Sequence, residues 1–280
     1  MITKSERSAM AARAADSIRR QCDRVPTAGI VLGSGLGGLA ERIDHPTVIP
    51  FGDVPGMVAS TAGGHRGQWI LGTLAGVSVV AMAGRLHRYE GWSNDQVTFP
   101  IDVIRTLGAE RMIVSNAAGG VSPKLRVADI VIIRDHINFL GGLFGGHQPP
   151  EHVGVQRRGQ VYDDAMSMIA MEAAKKNNFA AYEGTYLATL GPNYETRSEY
   201  RMMRRIGVDV VGMSTVPEVL AAHRLGMPVL GLSMVSNVAS PDVAVVADHA
   251  EVLQAGQAAA AKMEAIVCEV LRLAPTQKSP

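Results

Sequence analysis

Apolar positions along the chain follow two rhythms. Short, nearly unbroken apolar runs at 28–33, 69–74, 77–82, 111–116, 129–133, 185–190, 208–213 and 228–235 have the length and β-branched content of sheet strands. Longer stretches with apolar residues at three- and four-residue intervals, at 5–21, 95–107, 161–177, 196–206, 216–225 and 248–273, predict amphipathic helices. Strands alternating with helices predict an α/β domain on a mostly parallel or mixed sheet. The closely spaced runs 69–74 and 77–82, joined around Ala75-Gly76, predict an antiparallel hairpin, so a mixed sheet is expected. One segment breaks both rhythms. Residues 138–160 are rich in Gly, Pro and His and too long for an ordinary connection, which predicts an active-site loop or a subunit contact.

Composition narrows this picture. With 47% hydrophobic residues in a 280-residue chain but only 5% aromatic, the core must be built from small aliphatic side chains. A formal charge of +1 and the lack of a Lys/Arg block argue against general attraction to nucleic acid or anionic membrane. Cys22 and Cys268, far apart, fit no metal-ligand spacing and read as reduced thiols of a cytoplasmic protein. The opening residues carry Glu6 and Asp16 without a continuous apolar core, a poor signal peptide, and no long uncharged apolar stretch predicts a membrane span.

The first candidate chemistry is the stretch GIVLGSGLGG, a G-x-G-x-x-G made by Gly33, Gly35 and Gly38 behind the first apolar run. A dinucleotide site needs a full helix next and an acidic residue about 20 positions on. Asp53 has that spacing but lies between Pro50 and Pro55, and LAERIDHP allows at most two helical turns before Pro46. A Walker loop fails because no Gly-Lys-Ser/Thr follows. Two readings remain: an anion held by backbone N–H groups beside the Ser34 hydroxyl, or a tight turn with no ligand. A second cluster favours the anion. AGRLHRYEGW sets Arg85, His87, Arg88, Tyr89 and Glu90 directly behind a strand, where α/β sites collect, with Arg85 and His87 on one side if the chain stays extended. The duller reading makes them loop surface. TAGGHRG adds His65 and Arg66 in a glycine-flanked turn, and neither His65 nor His87 has partners at zinc spacing.

Beyond these clusters, several long blocks occur in a familiar order: GSGLGG, GRLHRYEG, SNAAGG, RDHIN, EGTYLATLGPNYET, VGMSTVPEV, SNVAS and DHAEVLQAG. From about residue 5 to 273 the chain resembles the trimeric, low-molecular-mass purine nucleoside phosphorylases, whose wider family includes methylthioadenosine phosphorylases. The resemblance implies one α/β domain over residues 1–280 with a distorted mixed sheet, assembled as a homotrimer. It implies reversible phosphorolysis of inosine, guanosine and their 2'-deoxy forms. No cofactor or metal is implied, inorganic phosphate being a co-substrate. By matching motifs, Ser34, His65, Arg85, His87, Ser214 and the backbone of Ala117 would surround phosphate. Tyr89, Met213 and His249 would line the ribose, and Tyr194, Glu195, Val211 and Asn237 the base. His87, Glu195 and Asn237 would carry the catalytic roles.

The residue types suit that chemistry. Breaking a glycosidic bond makes an oxocarbenium-like sugar and a negatively charged purine. Arg85, His87, Ser34 and Ser214 can orient a phosphate dianion whose charge also stabilises the sugar cation. Asn237 offers an amide donor toward N7, and an ionised Glu195 accepts from the N1–H of a 6-oxopurine, which adenine lacks. Each residue also has a plainer reading: Glu195 as a cap for the helix starting near Thr196, Asn237 as a turn residue, Met213 as core, His249 as a solvated helix-start histidine. His136 reads as structural. The chain departs from the family in two places. Val155 stands where relatives commonly place a phenylalanine that covers a neighbour's ribose, with Phe144, His147 and His152 as candidates to compensate, and Tyr194 replaces the more frequent Phe. The alternatives are a methylthioadenosine phosphorylase, for which Asp is expected at position 237, and a non-catalytic nucleotide-binding module.

Overall fold

The computed structural model describes residues 3–33, 37–61, 66–140, 160–239 and 249–274. Among them the strands are β1 (Ala28–Leu32), β2 (Asp44–Pro50), β3 (Gln68–Leu74), β4 (Val77–Ala83), β5 (Arg111–Gly120), β6 (Ile130–Asn138), β7 (Ala181–Ala188), β8 (Val210–Gly212) and β9 (Val229–Val238). The helices are α1 (Lys4–Arg19), α2 (Asn94–Leu107), α3 (Asp164–Lys176), α4 (Arg197–Arg205), α5 (Val216–Arg224) and α6 (His249–Leu273).

The strands form one mixed sheet in the order β2-β3-β4-β1-β5-β8-β7-β6-β9, and β9 pairs back onto β5. Five strands therefore close into a ring, and the other four extend from it as an open arm. β5 is the junction. Its first residues pair with β1 on one side and its last two, Gly119 and Gly120, with β8 on that side, while β9 runs parallel along the other. The register with β9 shifts between Ala118 and Gly119, a bulge that bends the strand as the ring closes.

Strand alternation explains the layering. Along β4, Val80 and Met82 join one core with Ala11, Ile18, Ile101, Ile104 and Val219. Val79, Ala81 and Ala83 join the other with Ala170, Ala259, Met263 and Ile266. Helices α1, α2 and α5 thus cover one face, and α3 and α6 the other, as period-two side-chain alternation requires for a sheet buried on both faces. α1 starts at a capping box, Thr3 with Glu6, and buries Ala11, Ala14, Ala15 and Ile18, one helical stripe. The expected hairpin is present: Leu74 faces Val77, and Ala75 (φ 54°) and Gly76 (φ 81°) take the two left-handed turn positions.

The sequence pattern missed β2. It contains Pro46 and Pro50, buries only Ile49, and bonds only to β3, so its apolar signal is almost nil and its prolines are tolerated because it is an edge. Other differences are at ends: β7 begins at Ala181, β5 runs on past Asn116 to Gly120, and β6 runs on past Ile133 to Asn138. After β1 comes only a six-residue 3-10 segment, Gly37–Arg42, and Asp53 closes a 3-10 turn, as a site too small for a dinucleotide requires. Gly33 is sterically obligatory, since a Cβ there would lie 2.7 Å from the Ser115 oxygen and the Asn116 Cα. At Gly38 it would meet nothing, so the third glycine lacks the packing role of a dinucleotide fingerprint. No helix among the described residues is long and apolar enough to cross a membrane.

Candidate active site

A cavity of about 280 Å³ opens where the parallel strands β4, β5 and β9 end and β8 leads into α5. Strand ends of an α/β sheet leave such a crevice because successive connections diverge there. Arg85 and His87 reach it from the extended segment after β4, Asn116 to Gly119 from β5, Val211 to Ser214 from β8 and beyond, and Ser236 and Asn237 from β9. Tyr194 and Glu195 close it from the loop before α4.

One end of the cavity is densely charged. Arg85 is 1% exposed. Its Nε donates to Glu218 (2.9 Å), and its Nη1 donates to the Ser115 carbonyl (2.8 Å) and to Ser214 Oγ (3.1 Å). Nη2 is buried without a partner among the described residues, and so is Glu218 Oε2. A guanidinium fixed on one side with a buried donor to spare is ready for an acceptor such as an anion oxygen. Ser214 itself sits at a strained point: Thr215, next in the chain, has φ 72°, costly for a β-branched residue. Asn116 Nδ2 holds the Thr215 hydroxyl at 2.9 Å, and Ser214 Oγ lies 3.2 Å from it.

His87 is governed by Glu90. The carboxylate accepts from the His87 backbone N–H (2.7 Å) and meets Nδ1 at 3.0 Å, which puts a proton on Nδ1 and turns Nε2 toward other partners. Its other oxygen accepts from the Thr61 N–H (2.6 Å) and hydroxyl (2.7 Å). Burial pushes the Glu90 carboxyl up, but these hydrogen bonds from His87 and Thr61 outweigh it and bring the pKa down to about 2. The same carboxylate thereby ties the strand end bearing His87 to Thr61, four residues before His65 in the sequence. Tyr89 stacks on the His87 ring at 4.7 Å, and burial, reinforced by the Glu90 charge, raises its phenol pKa.

Among the described residues the other end is uncharged apart from one carboxylate. Glu195 accepts from Thr189 Oγ1 at Oε1 (3.1 Å) and from the Tyr200 hydroxyl at Oε2 (3.1 Å). It does not cap α4; Thr196 does, in a capping box with Glu199. Asn237 is no turn residue either: it lies within β9 and pairs with Gly119. Ser236 donates to its Oδ1 at 2.9 Å, leaving the amide NH2 as the group for a ligand.

Known proteins resemble this chain in sequence and fold. Residues 27–272 match the phosphorylase superfamily. The chain is 45% identical to purine nucleoside phosphorylase 1 of Bacillus subtilis over 244 residues, 86% of this chain and 90% of that one. It is 40% identical to the purine nucleoside phosphorylase of Rattus norvegicus over 277 residues, 95% of each. The structure of isoform 2 of the Schistosoma mansoni purine nucleoside phosphorylase, solved with cytosine and ribose-1-phosphate, superposes with a TM-score of 0.86 at 37% identity, covering 95% of this chain and 97% of that one. The chain belongs to the purine nucleoside phosphorylase family.

Of the residues that the family motifs single out, Arg85, His87, Tyr89, Tyr194, Glu195, Val211, Met213, Ser214, Ala117 and Asn237 all line this one cavity. Ser34 and His65 lie outside the described residues, as do Phe144, His147, His152 and Val155. His249 begins α6, and its side chain is likewise outside the description. His136 stays away from the cavity and meets the Tyr162 hydroxyl at 3.1 Å. Sequence reasoning missed Glu218, Asn116, Thr189 and Tyr200. Glu218 reads as an ordinary acidic residue in the first turn of α5, and its partner Arg85 is 133 positions away. Among the described residues no group of three His, Cys, Asp or Glu side chains is placed to hold a metal.

Proposed function

We propose that this purine nucleoside phosphorylase carries out reversible phosphorolysis of inosine, guanosine and their 2'-deoxy forms, giving the free base and the (deoxy)ribose 1-phosphate. One observation carries the reading: a buried guanidinium with a donor to spare among the described residues and two polar side chains able to read a base, Glu195 and Asn237, share one cavity. Relatives whose names state the same activity, and Schistosoma structures solved with inosine and with guanosine, support it. In this assignment Arg85, His87, Ser214, the Ala117 backbone, Ser34 and His65 hold phosphate against the anomeric carbon, where its charge stabilises the developing sugar cation. Tyr89, Met213 and His249 line the ribose. Tyr194 and Val211 flank the base, Glu195 accepts from N1–H, and the Asn237 NH2 donates to N7 as electron density moves into the ring. The chain works as one domain in a cytoplasmic homotrimer, with the segment 138–160 at a subunit boundary.

Incubation of the purified protein with inosine, with and without phosphate, tests the reaction: hypoxanthine and ribose 1-phosphate are expected only with phosphate, and free ribose without it rejects the assignment. Light scattering across protein concentrations tests assembly, with a mass three times that of the chain expected and an active monomer excluding it.

A further inference from the structure

We propose that Tyr200 is a positioning residue for base recognition, acting through Glu195: with Thr189 it forms a two-hydroxyl clamp that fixes the carboxylate in the orientation that receives a purine N1–H. The inference rests on the reading of Glu195 as the base-binding acceptor.

A glutamate that reads a base faces two physical demands. It must remain an ionised acceptor in a site that loses its water when the base enters, and its terminal torsion, broad and two-fold, must be held in one plane. The plane is set here by chain hydroxyls, one on each oxygen at 3.1 Å. A carboxylate has about four lone-pair directions, so one remains on each oxygen for the ligand. A Lys or Arg in place of these hydroxyls would neutralise the charge that draws N1–H and bind in competition with the base. Neutral donors hold the orientation and leave the charge to the ligand.

The clamp is rigid on both sides. Thr189 follows β7 and is pinned to β8 by its N–H, which donates to the Gly212 carbonyl at 2.9 Å. Tyr200 lies on α4, whose start is fixed by the Thr196–Glu199 capping box, and its N–H closes on the Thr196 carbonyl at 3.0 Å. The residue is 9% exposed and packs with Val121, Leu187, Met203 and Val211. Burial, then the neighbouring Glu195 charge, push its phenol pKa far above the usual range, so the hydroxyl stays a donor at any working pH. Tyr200 also lines the cavity wall, whereas no part of the phosphate end touches its hydroxyl among the contacts described.

Tyr200→Phe removes the donor and keeps the ring. For inosine the expected result is a fall in kcat/KM of about tenfold, mostly through KM, because one part-buried carboxylate oxygen loses its partner. The KM for phosphate should stay within about twofold, as should binding of free purine, which has no N1–H to offer. Since Tyr200 acts through Glu195, adding Tyr200→Phe to Glu195→Gln should cost less than about twofold beyond the single Glu195→Gln loss. Unchanged inosine KM, an equal loss for purine and phosphate, or fully additive losses would each overturn the proposal. If Tyr200→Phe does not fold, Thr189→Val, which removes the other donor, must show the same selective loss. Glu195→Gln alone separates the two claims: if it leaves inosine turnover intact, the base-binding reading fails, and if it abolishes selectivity while Tyr200→Phe changes nothing, only the clamp fails.

Discussion

The two ends of the cavity are wired by opposite means. At the Arg85 end, carboxylates hold the site in place: Glu218 answers the Arg85 guanidinium and Glu90 the His87 ring, all four side chains nearly buried. At the Glu195 end the single carboxylate is answered by two hydroxyls, and Asn237 by a third. The difference follows from what each end is proposed to receive. A dianion needs fixed positive charge, and a buried cation needs a permanent counter-ion before the ligand arrives. A neutral base needs direction more than charge, and neutral donors give direction without competing for it.

The comparison can be broken first at Arg85. Arg85→Ala removes the cation and strands Glu218, so kcat/KM for phosphate should drop by on the order of a hundred- to a thousandfold, with stability down by about 3–5 kcal/mol. Phosphate saturation and turnover at wild-type levels would take Arg85 out of the site. At the neutral end, Asn237→Asp should lower inosine kcat/KM by roughly a hundredfold and shift relative activity toward adenosine, since a protonated Asp can donate to N7 and accept from the adenine amine. The gain must be larger toward pH 6 than pH 8, because the carboxyl has to carry a proton. Base preference unchanged across that range would mean that Asn237 does not read the purine.

A smaller effect tests how the charged end is held. The Glu90 carboxyl sits at about 2, below its usual 4.5, so its ionised form is bound more tightly in the folded protein. Its contribution is complete above about pH 4.5 and disappears as pH falls toward 2. Discounted for screening by water, Glu90→Gln should therefore cost about 1–2 kcal/mol near neutrality, and the Tm difference from wild type should shrink steadily on acidification below pH 4.5. A gap independent of pH would point to shape alone. Smallest of all, Ser34→Ala should raise the phosphate KM by about three- to tenfold, the loss of one hydroxyl donor among several.

Sequence alone exposed most of the frame and about half of the site's wiring, for reasons that differ by residue. The strands within β1, β4 and β9 are apolar on both faces and could not hide, and α1, α3 and α6 show their stripes. The closure of β9 onto β5 was invisible, because pairing partners leave no local mark. Arg85, His87 and Glu90 lie within six positions of one another, so their cooperation was written in one short segment. Glu218 and Tyr200 act on partners brought to them by the fold or by a helical turn, and each has an ordinary reading where it stands. The glycine loop imitates a dinucleotide motif only in its spacing, a reading that the short helix and the prolines around Asp53 already exclude, and only Gly33 among its described glycines has a neighbour that forbids a side chain.

The edge strand β2 has a consequence for how the protein behaves at high concentration. With β9 returned to β5, β2 is the one end of the sheet left open among the described residues, the natural place for another chain to add itself. That template is defective. Pro46 and Pro50 have no N–H to offer, and His45, at φ 49°, breaks the register with β3 between Asp44 and Thr47. An incoming strand would find donors missing at two of seven positions and a kink at the start. The residues that concealed β2 from pattern reading thus double as its guard against runaway strand addition, and replacing both prolines should leave the fold intact while making the protein prone to fibrous aggregation.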